Sequence, residues 1–333
     1  MRKVLLWGCL FLFGCTQGPT PSSEVSSSSS LSSSSTVIEV PKKIYLFPEG
    51  NVPYDAKEST REYAFLTPYL AQKPSGGAVI VVPGGGYTHL STSTVEETGK
   101  HGGKNNDGNQ KEARAIAPLY NEDGISVFVL NYRTTIVVSS LDYHALISDV
   151  QRAIKIVKNH AKTLSFEENH IVLQGYSARG HLSLLGYEQA NWSIDDLNYK
   201  VDDIDALSAK PNALILGYPV VSFLDGQTHN STRKVFAGGD ASLYESFSAE
   251  LHVDEEFPAT YLFHEEKDPT VPCKGSELLS EALAFFDVDY QFDLFHDEAT
   301  ENTPLHGFGV TSELSEASQW MNHALSFLKE RGF

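Results

Sequence analysis

The 333-residue sequence predicts an α/β fold: a mainly parallel central sheet with helices on both faces. Two observations carry that prediction. Short, continuous apolar runs recur through residues 39–333, and longer stretches of helical periodicity alternate with them. Ala78–Val82 is apolar throughout and ends at Pro83-Gly84, as a strand covered on both faces does. Ile125–Leu130 is a second such run. Between Tyr143 and Leu164 the residues Leu146, Val150, Ala153, Ile154 and Val157 recur at the spacing of one helix face. A strand at Ile171–Gln174, a glycine-containing turn and a helix from about Ala178 come next. Further strands are expected near Ala213–Leu216, Thr260–His264 and Tyr290–Phe295, and helices near Ser276–Phe286 and Glu313–Lys329. Strand, helix, strand in this rhythm makes successive strands parallel. Functional groups in such sheets gather on loops beyond the carboxyl ends of the strands.

The chain opens differently. Arg2 and Lys3 precede the apolar run Val4–Phe13, which is too short for a finished membrane span. Residues 1–14 are therefore expected to be a lipoprotein signal peptide, with Cys15, after Leu12-Phe13-Gly14, as the lipidated residue. Residues 15–38 hold that anchor site and a serine-rich segment with little apolar surface to bury, a flexible linker. Residues 39–333 form the globular domain. The expected location is outside the cytoplasm, with membrane contact through the N-terminal lipid only.

Acidic residues outnumber basic ones by 43 to 25, for a formal net charge of -18. Phosphate binding needs clustered Lys and Arg, so a nucleic-acid partner is not expected. Of the three cysteines, Cys9 leaves with the signal and Cys15 carries lipid, so Cys273 stands alone. One thiol builds neither a disulfide framework nor a cysteine-rich zinc site. Cys273 has only Lys274 as a positive neighbour, too weak a field to activate a thiolate nucleophile.

Candidate catalytic residues follow from the element order. Gly175-Tyr176-Ser177-Ala178 lies between a strand and a helix, the context in which a tight turn lifts a serine hydroxyl above the sheet. The bland alternative makes Ser177 a helix cap. The usual pattern, Gly-x-Ser-x-Gly, is broken by Arg179 at its fifth position, with Gly180 one place later. Pro83-Gly84-Gly85-Gly86-Tyr87 follows the first apolar run. Its uncovered amides at Gly85 or Gly86, together with that of Ala178, are expected to form an oxyanion hole. An ordinary glycine-rich turn is the alternative, and a phosphate loop lacks its Gly-Lys-Ser/Thr ending. With the chain order Ser, acid, His, the acid is expected at Asp268 and the base at His306. Glu265 and Glu266 are rivals for the acid, and His296 for the base. His89, His181 and His264 either line the site or are hydrogen-bonded core residues.

With these residues in place, the chain resembles the α/β-hydrolase-fold esterases that include bifunctional feruloyl and acetyl esterases and acetylxylan-esterase-like proteins. The likeness runs over roughly residues 40–333. It rests on Leu46-Phe47-Pro48-Glu49-Gly50, the PGGGY loop at 83–87, Asn131-Tyr132-Arg133, Asp149 and Arg152. It continues through GYSARGHL at 175–182, KDPTVP at 267–272 and HGFG at 306–309. The resemblance implies hydrolysis of esters on plant cell-wall polysaccharide, chiefly acetyl groups on xylan, or of small esters, with no metal or organic cofactor. Two features depart from it: Arg179, and the polar stretch Thr94–Gln110, which looks long and is expected to form a flap. Two other readings stay open at this point. One is a serine peptidase of the prolyl-oligopeptidase type. The other is a non-catalytic, surface-attached carbohydrate-binding protein on a degenerate hydrolase domain.

Overall fold

The computed structural model describes residues 40–55, 60–85, 87, 111–134, 143–301, 303–310 and 313–333, and the chain divides into units at Glu39/Val40. The expected signal peptide, Cys15, the linker, Gly86, His89 and the Thr94–Gln110 flap lie outside the described residues.

The central sheet is built from β1 (Ile44–Tyr45), β2 (Phe65–Tyr69), β3 (Ala78–Val82), β4 (Ser126–Asn131), β5 (Ile171–Tyr176), β6 (Ala213–Gly217), β7 (Ala259–Glu265) and β8 (Tyr290–Phe295). Their spatial order is β1-β2-β4-β3-β5-β6-β7-β8. The pairs from β4 through β8 are parallel, while β1–β2 and β2–β4 are antiparallel. The helices are α1 (Lys111–Glu122), α2 (Tyr143–Leu164), α3 (Ala178–Glu188), α4 (Asn230–Ala237), α5 (Lys274–Phe285) and α6 (Trp320–Glu330).

Continuous apolar runs become strands here because both sheet faces are covered. Along β3, Ala78, Ile80 and Val82 enter one core, with Leu146, Val150 and Ile154 of α2 and Leu182 and Leu185 of α3. Val79 and Val81 point the other way, into a core with Ile116 and Tyr120 of α1 and Trp320, Ala324 and Phe327 of α6. The two-residue period of a strand divides one sequence run between two cores.

Each predicted strand and helix is present, with differences at the ends. The last helix begins at Trp320, not Glu313. Asp297 explains this: its carboxylate accepts from the backbone amides of Ser315 (2.8 Å), Glu316 (3.1 Å) and Ala317 (2.7 Å), which ties that segment into a capped turn before the helix starts. The antiparallel strands β1 and β2 and the helices α1 and α4 are additional to the elements that the apolar pattern predicts. Pro68 sits within β2 and Pro118 within α1, and proline reads as a breaker of both. Pro68 lies beyond the two residues that pair with β1, so on that side its missing N–H leaves no ladder bond unmade.

Sheet order positions the functional loops. Strand β3 lies between β4 and β5, and the chain leaves β3 toward β4 but leaves β5 toward β6. The two loops therefore diverge at a topological switch point, where such sheets open a crevice. Register brings them together: Val82 pairs with Gly175, so the glycine loop begins beside the turn that carries Ser177.

The loop leaving β4 is anchored by a buried ion pair. Arg133 Nη2 lies 2.7 Å from Asp149 Oδ1, and neither side chain has exposed surface. Asp149 Oδ2 also accepts from the Arg133 amide at 2.9 Å. The guanidinium further donates to the carbonyl oxygens of Pro53 (2.6 Å) and Ala145 (3.2 Å). Removing one member leaves the other buried and unpaired, which costs about 3–5 kcal/mol. Asp149→Ala is expected to lower stability by that amount in chemical denaturation; a loss under about 1 kcal/mol would show that the pair is not an anchor.

Candidate active site

Ser177 occupies the single residue between β5 and α3, with φ 55° and ψ −129°. This backbone region is unfavourable for any residue with a side chain, by about 1–3 kcal/mol, and persists only where surrounding contacts impose it. Those contacts are visible. The Ser177 amide donates to Gly217 O at the end of β6 (3.0 Å), and its carbonyl accepts from Val220 N (3.0 Å) and Gly180 N (3.0 Å). Although Ser177 precedes a helix, its side chain makes no capping hydrogen bond. Its hydroxyl faces His306 Nε2 instead, at 3.0 Å.

Gly180 takes over the close-packing role that the usual motif gives to its fifth position. A Cβ on Gly180 would lie 2.4 Å from Pro219 Cβ and 2.9 Å from Pro219 Cα, so only glycine lets α3 approach the β6 loop this closely. Position 179 is thereby free to carry a long side chain, and Arg179 turns inward, with no exposed surface.

His306 lies in the loop between β8 and α6. Leu305 and Phe308 on either side are buried, and Gly309 O accepts from Trp320 Nε1 at 2.9 Å, so the loop is pinned around the imidazole. The rings of Tyr218 and His306 meet in a T-shaped contact with their centroids 4.9 Å apart. His306 Nδ1 lies 2.6 Å from Asp268 Oδ2. Since that carboxylate oxygen only accepts, Nδ1 carries the proton and Nε2 is left to accept from the Ser177 hydroxyl.

Asp268 follows β7, and its side chain has no exposed surface. Oδ1 accepts from the amides of Thr270 (2.7 Å) and Val271 (3.0 Å). Oδ2 also faces His264 Nε2 at 3.3 Å. Burial works against its charge, but hydrogen bonds from His264 and His306 outweigh burial and hold the carboxyl below the usual range. His264 is fully buried. Its Nε2 faces Val271 O at 3.0 Å as well as Asp268, so it must be the N–H, and Nδ1 accepts from Ser276 Oγ at 2.8 Å. The sequence leaves His264 open between lining the site and the core; it braces the carboxylate from behind.

The rivals face elsewhere. Glu265 is buried beside Asp297, and burial followed by the Asp297 charge pushes it up to about 7. Glu266 and His296 meet each other at 3.2 Å on the surface. The Cys273 thiol is pushed up by burial and by Glu277 and Glu266, the wrong direction for a nucleophile. His181 is a core residue, as one of its two expected roles had it. His229, which the sequence did not single out, sits half-buried before α4, with Nδ1 2.8 Å from Thr232 Oγ1. Burial holds its imidazole down, with the neighbouring His306 acting in the same direction and Asp268 against it. It lies on the irregular stretch after β6, where no periodicity marks which residues turn inward.

Of the expected oxyanion donors, Ala178 is the buried first residue of α3, and Gly85 has φ 132°, open to glycine and strained for other residues. The arrangement is thus a hydroxyl, an imidazole and a buried carboxylate in one hydrogen-bonded row, beside a glycine turn and a helix N-terminus. Such a row transfers a proton from the hydroxyl to the imidazole as the oxygen attacks an electrophile.

Comparison with known proteins agrees with this architecture. The family model described as BD-FAE matches residues 68–283, a span that contains Ser177 and Asp268 and ends before His306. The chain is 29% identical over 161 residues to an acetylxylan esterase of Xylanibacter ruminicola, covering 48% of this chain and 26% of that protein. It is 27% identical over 209 residues to endo-1,4-beta-xylanase B of Butyrivibrio fibrisolvens, covering 62% of this chain and 29% of that protein. The chain therefore spans less than a third of the length of either relative. A crystal structure of an acetyl ester-xyloside bifunctional hydrolase from Caldicellulosiruptor lactoaceticus superposes with a TM-score of 0.71 at 26% identity, covering 90% of this chain and 99% of that one. The chain belongs to the BD-FAE family, an α/β-hydrolase esterase family.

Proposed function

We propose that the protein is a serine carboxylic-ester hydrolase that removes acetyl groups from cell-wall polysaccharide such as acetylxylan. The observation that carries this reading is the row Ser177–His306–Asp268, with its 3.0 Å and 2.6 Å hydrogen bonds ending on a buried carboxylate. The acetylxylan esterase and the acetyl ester-xyloside hydrolase among the similar proteins support the choice of acyl group and sugar.

In the proposed mechanism, Ser177 Oγ attacks the ester carbonyl while His306 Nε2 accepts its proton. Asp268 keeps the other nitrogen protonated and stabilises the imidazolium that forms. The amides of the glycine turn, at Gly85 or Gly86, and of Ala178 receive the oxyanion, in a preorganised site that needs no solvent reorganisation. The intermediate expels the sugar hydroxyl, which leaves with the proton from His306. Water then attacks the acetyl-serine by the same route and releases acetate. The strain at Ser177 holds the hydroxyl clear of its own helix, available to substrate.

We further propose that the N-terminus directs export and lipid attachment at Cys15, with a serine-rich linker that lets the catalytic domain reach polymeric substrate. Metabolic labelling with a radioactive fatty acid tests it. Label is expected on the wild type and absent from Cys15→Ala, and an unlabelled wild type would remove the anchor.

Ser177→Ala is expected to lower kcat by about 10⁶-fold without loss of fold; a purified variant that still turned over acetyl esters would sink the assignment. Asp268→Asn is more diagnostic. Oδ1 is held by two amides, so the new NH₂ must occupy the Oδ2 position and face His306 Nδ1. This forces the wrong tautomer, and kcat should fall about 10⁴-fold. A loss under tenfold would leave Asp268 without the orienting role. On a panel of acetylated xylan, feruloylated arabinoxylan and dipeptide amides, kcat/KM should be highest for acetylated xylan. Preference for the amides would move the protein to the peptidase class.

A further inference from the structure

Arg179 is fully buried, as are Tyr87 and, to 1% exposure, Tyr132. Its guanidinium carbon lies 5.3 Å from the centroid of the Tyr87 ring and 5.0 Å from that of Tyr132. Both distances are in the range where a cation is held by the face of an aromatic ring. Arg179 Nε also donates to the Tyr132 hydroxyl. One side chain thus joins three segments around the candidate site. Arg179 itself is the second residue of α3, next to Ala178. Tyr87 closes the glycine loop that leaves β3, and Tyr132 stands just past the end of β4.

Tyr87 is the mechanically demanding member. Its φ of 64° is left-handed backbone carried by a bulky side chain, a conformation that needs external restraint. Its hydroxyl donates to His181 Nδ1 at 2.8 Å. The direction is unambiguous, because His181 Nε2 faces Phe247 O at 2.8 Å and must itself be the donor there. His181 is neutral: burial pushes it down to about 4, with the Phe247 carbonyl acting the other way. The Tyr87 ring also packs on Phe236 of α4, with the ring centroids 4.9 Å apart. Arg179 completes this clamp: with His181 it is one of two restraints from the nucleophile's own helix, and the one nearer Ser177. Through it the end of the glycine loop and the N-terminus of α3 are held to one another by a short physical link.

We propose that Arg179 is a positioning residue for oxyanion stabilisation: bridging Tyr87 and Tyr132, it sets the spacing between the glycine turn and the Ala178 amide. This rests on the serine-esterase reading given above. Two donors that must converge on one oxygen need that spacing fixed to a fraction of an ångström, and a misplacement of about 1 Å costs on the order of 100-fold. The residue that departs from the usual Gly-x-Ser-x-Gly pattern is thereby part of the machinery that makes the serine useful. Gly180 meets the close-packing requirement one position on.

The test compares Arg179→Met, which keeps length without charge or donors, Arg179→Lys and Arg179→Gly with the wild type. Melting temperature, kcat and KM for p-nitrophenyl acetate, and the rate of labelling by a fluorophosphonate are measured on each. For Arg179→Met, kcat and the labelling rate are expected to fall about 10- to 100-fold while KM stays within about threefold. Arg179→Lys should fall between Arg179→Met and wild type. For Arg179→Gly, guanidinium ion well below denaturing concentration should raise kcat severalfold, since it can occupy the vacated space between the two rings. Two results overturn the proposal: a folded Arg179→Met with kcat within twofold of wild type, or kcat losses that only track the folded fraction and do not respond to guanidinium. Either would leave the serine-esterase reading intact so long as Ser177→Ala abolishes turnover. A wild type that takes no label, or a Ser177→Ala variant that keeps turnover, would sink both.

Discussion

A carboxylate with no exposed side-chain surface must be held charged by what surrounds it, and at Asp268 the partners come from three places in the chain. Two are amides of its own turn, at Thr270 and Val271; one is the imidazole of His264 on β7; one is the imidazole of His306, from the loop after β8. Dehydrating a carboxylate costs several kcal/mol unless such donors replace the water it loses. The balance is decided here by hydrogen bonds, which keep the group ionised in spite of its burial. The consequence reaches outward. A charged Oδ2 fixes the tautomer of His306, that tautomer turns Nε2 toward Ser177, and the serine oxygen receives a partner that its helix does not offer.

The serine end of the row is sustained differently, by backbone. Ser177 is held at positive φ by bonds to Gly217 O, Val220 N and Gly180 N. All three are on β6, its following loop or α3, so the strain is supported by the same strand order that opens the crevice between β3 and β5. Carboxylate and hydroxyl are thus supported from opposite directions, and the imidazole is the joint between them. Its own loop is closed by Asp297, which ties Ser315, Glu316 and Ala317 to the end of β8.

The motifs by which the chain resembles its family divide by physical role. GYSARGHL, KDPTVP and HGFG carry the row itself. Asn131-Tyr132-Arg133 and Asp149 do not touch Ser177, Asp268 or His306 through any hydrogen bond described for them; Arg133 and Asp149 form the buried pair that holds the β4 loop. Arg152 reaches Leu46 O at 2.8 Å and the carboxylates of Asp202 and Asp205 at 2.7 and 2.9 Å, stapling the N-terminal segment and the 202–205 turn to α2. Arg179 stands inside the first of these strings yet takes neither role. It replaces the motif's glycine, yet its inward course costs no helix packing, because Gly180 makes the close approach to Pro219.

Much of this was legible in the sequence, for a local reason. Strands buried on both faces are apolar at most positions, so β3, β5, β6 and β7 announce themselves. A serine on a sharp strand-to-helix turn needs small neighbours, which leaves a short recognisable string at 175–178. Chain order points to Asp268 and His306, on the two loops whose side chains meet in a row with Ser177. The sequence could not reveal what depends on contact between distant segments: that His264 braces Asp268, that His229 lies beside the row, that Asp297 delays α6 until Trp320, or that Pro68 sits in a strand. The odd residue shows the division most clearly. In the sequence, Arg179 is a mismatch in a motif; in the folded chain it lies between two tyrosines contributed by the exits of β3 and β4, because only the register of the sheet brings those exits to the same helix end.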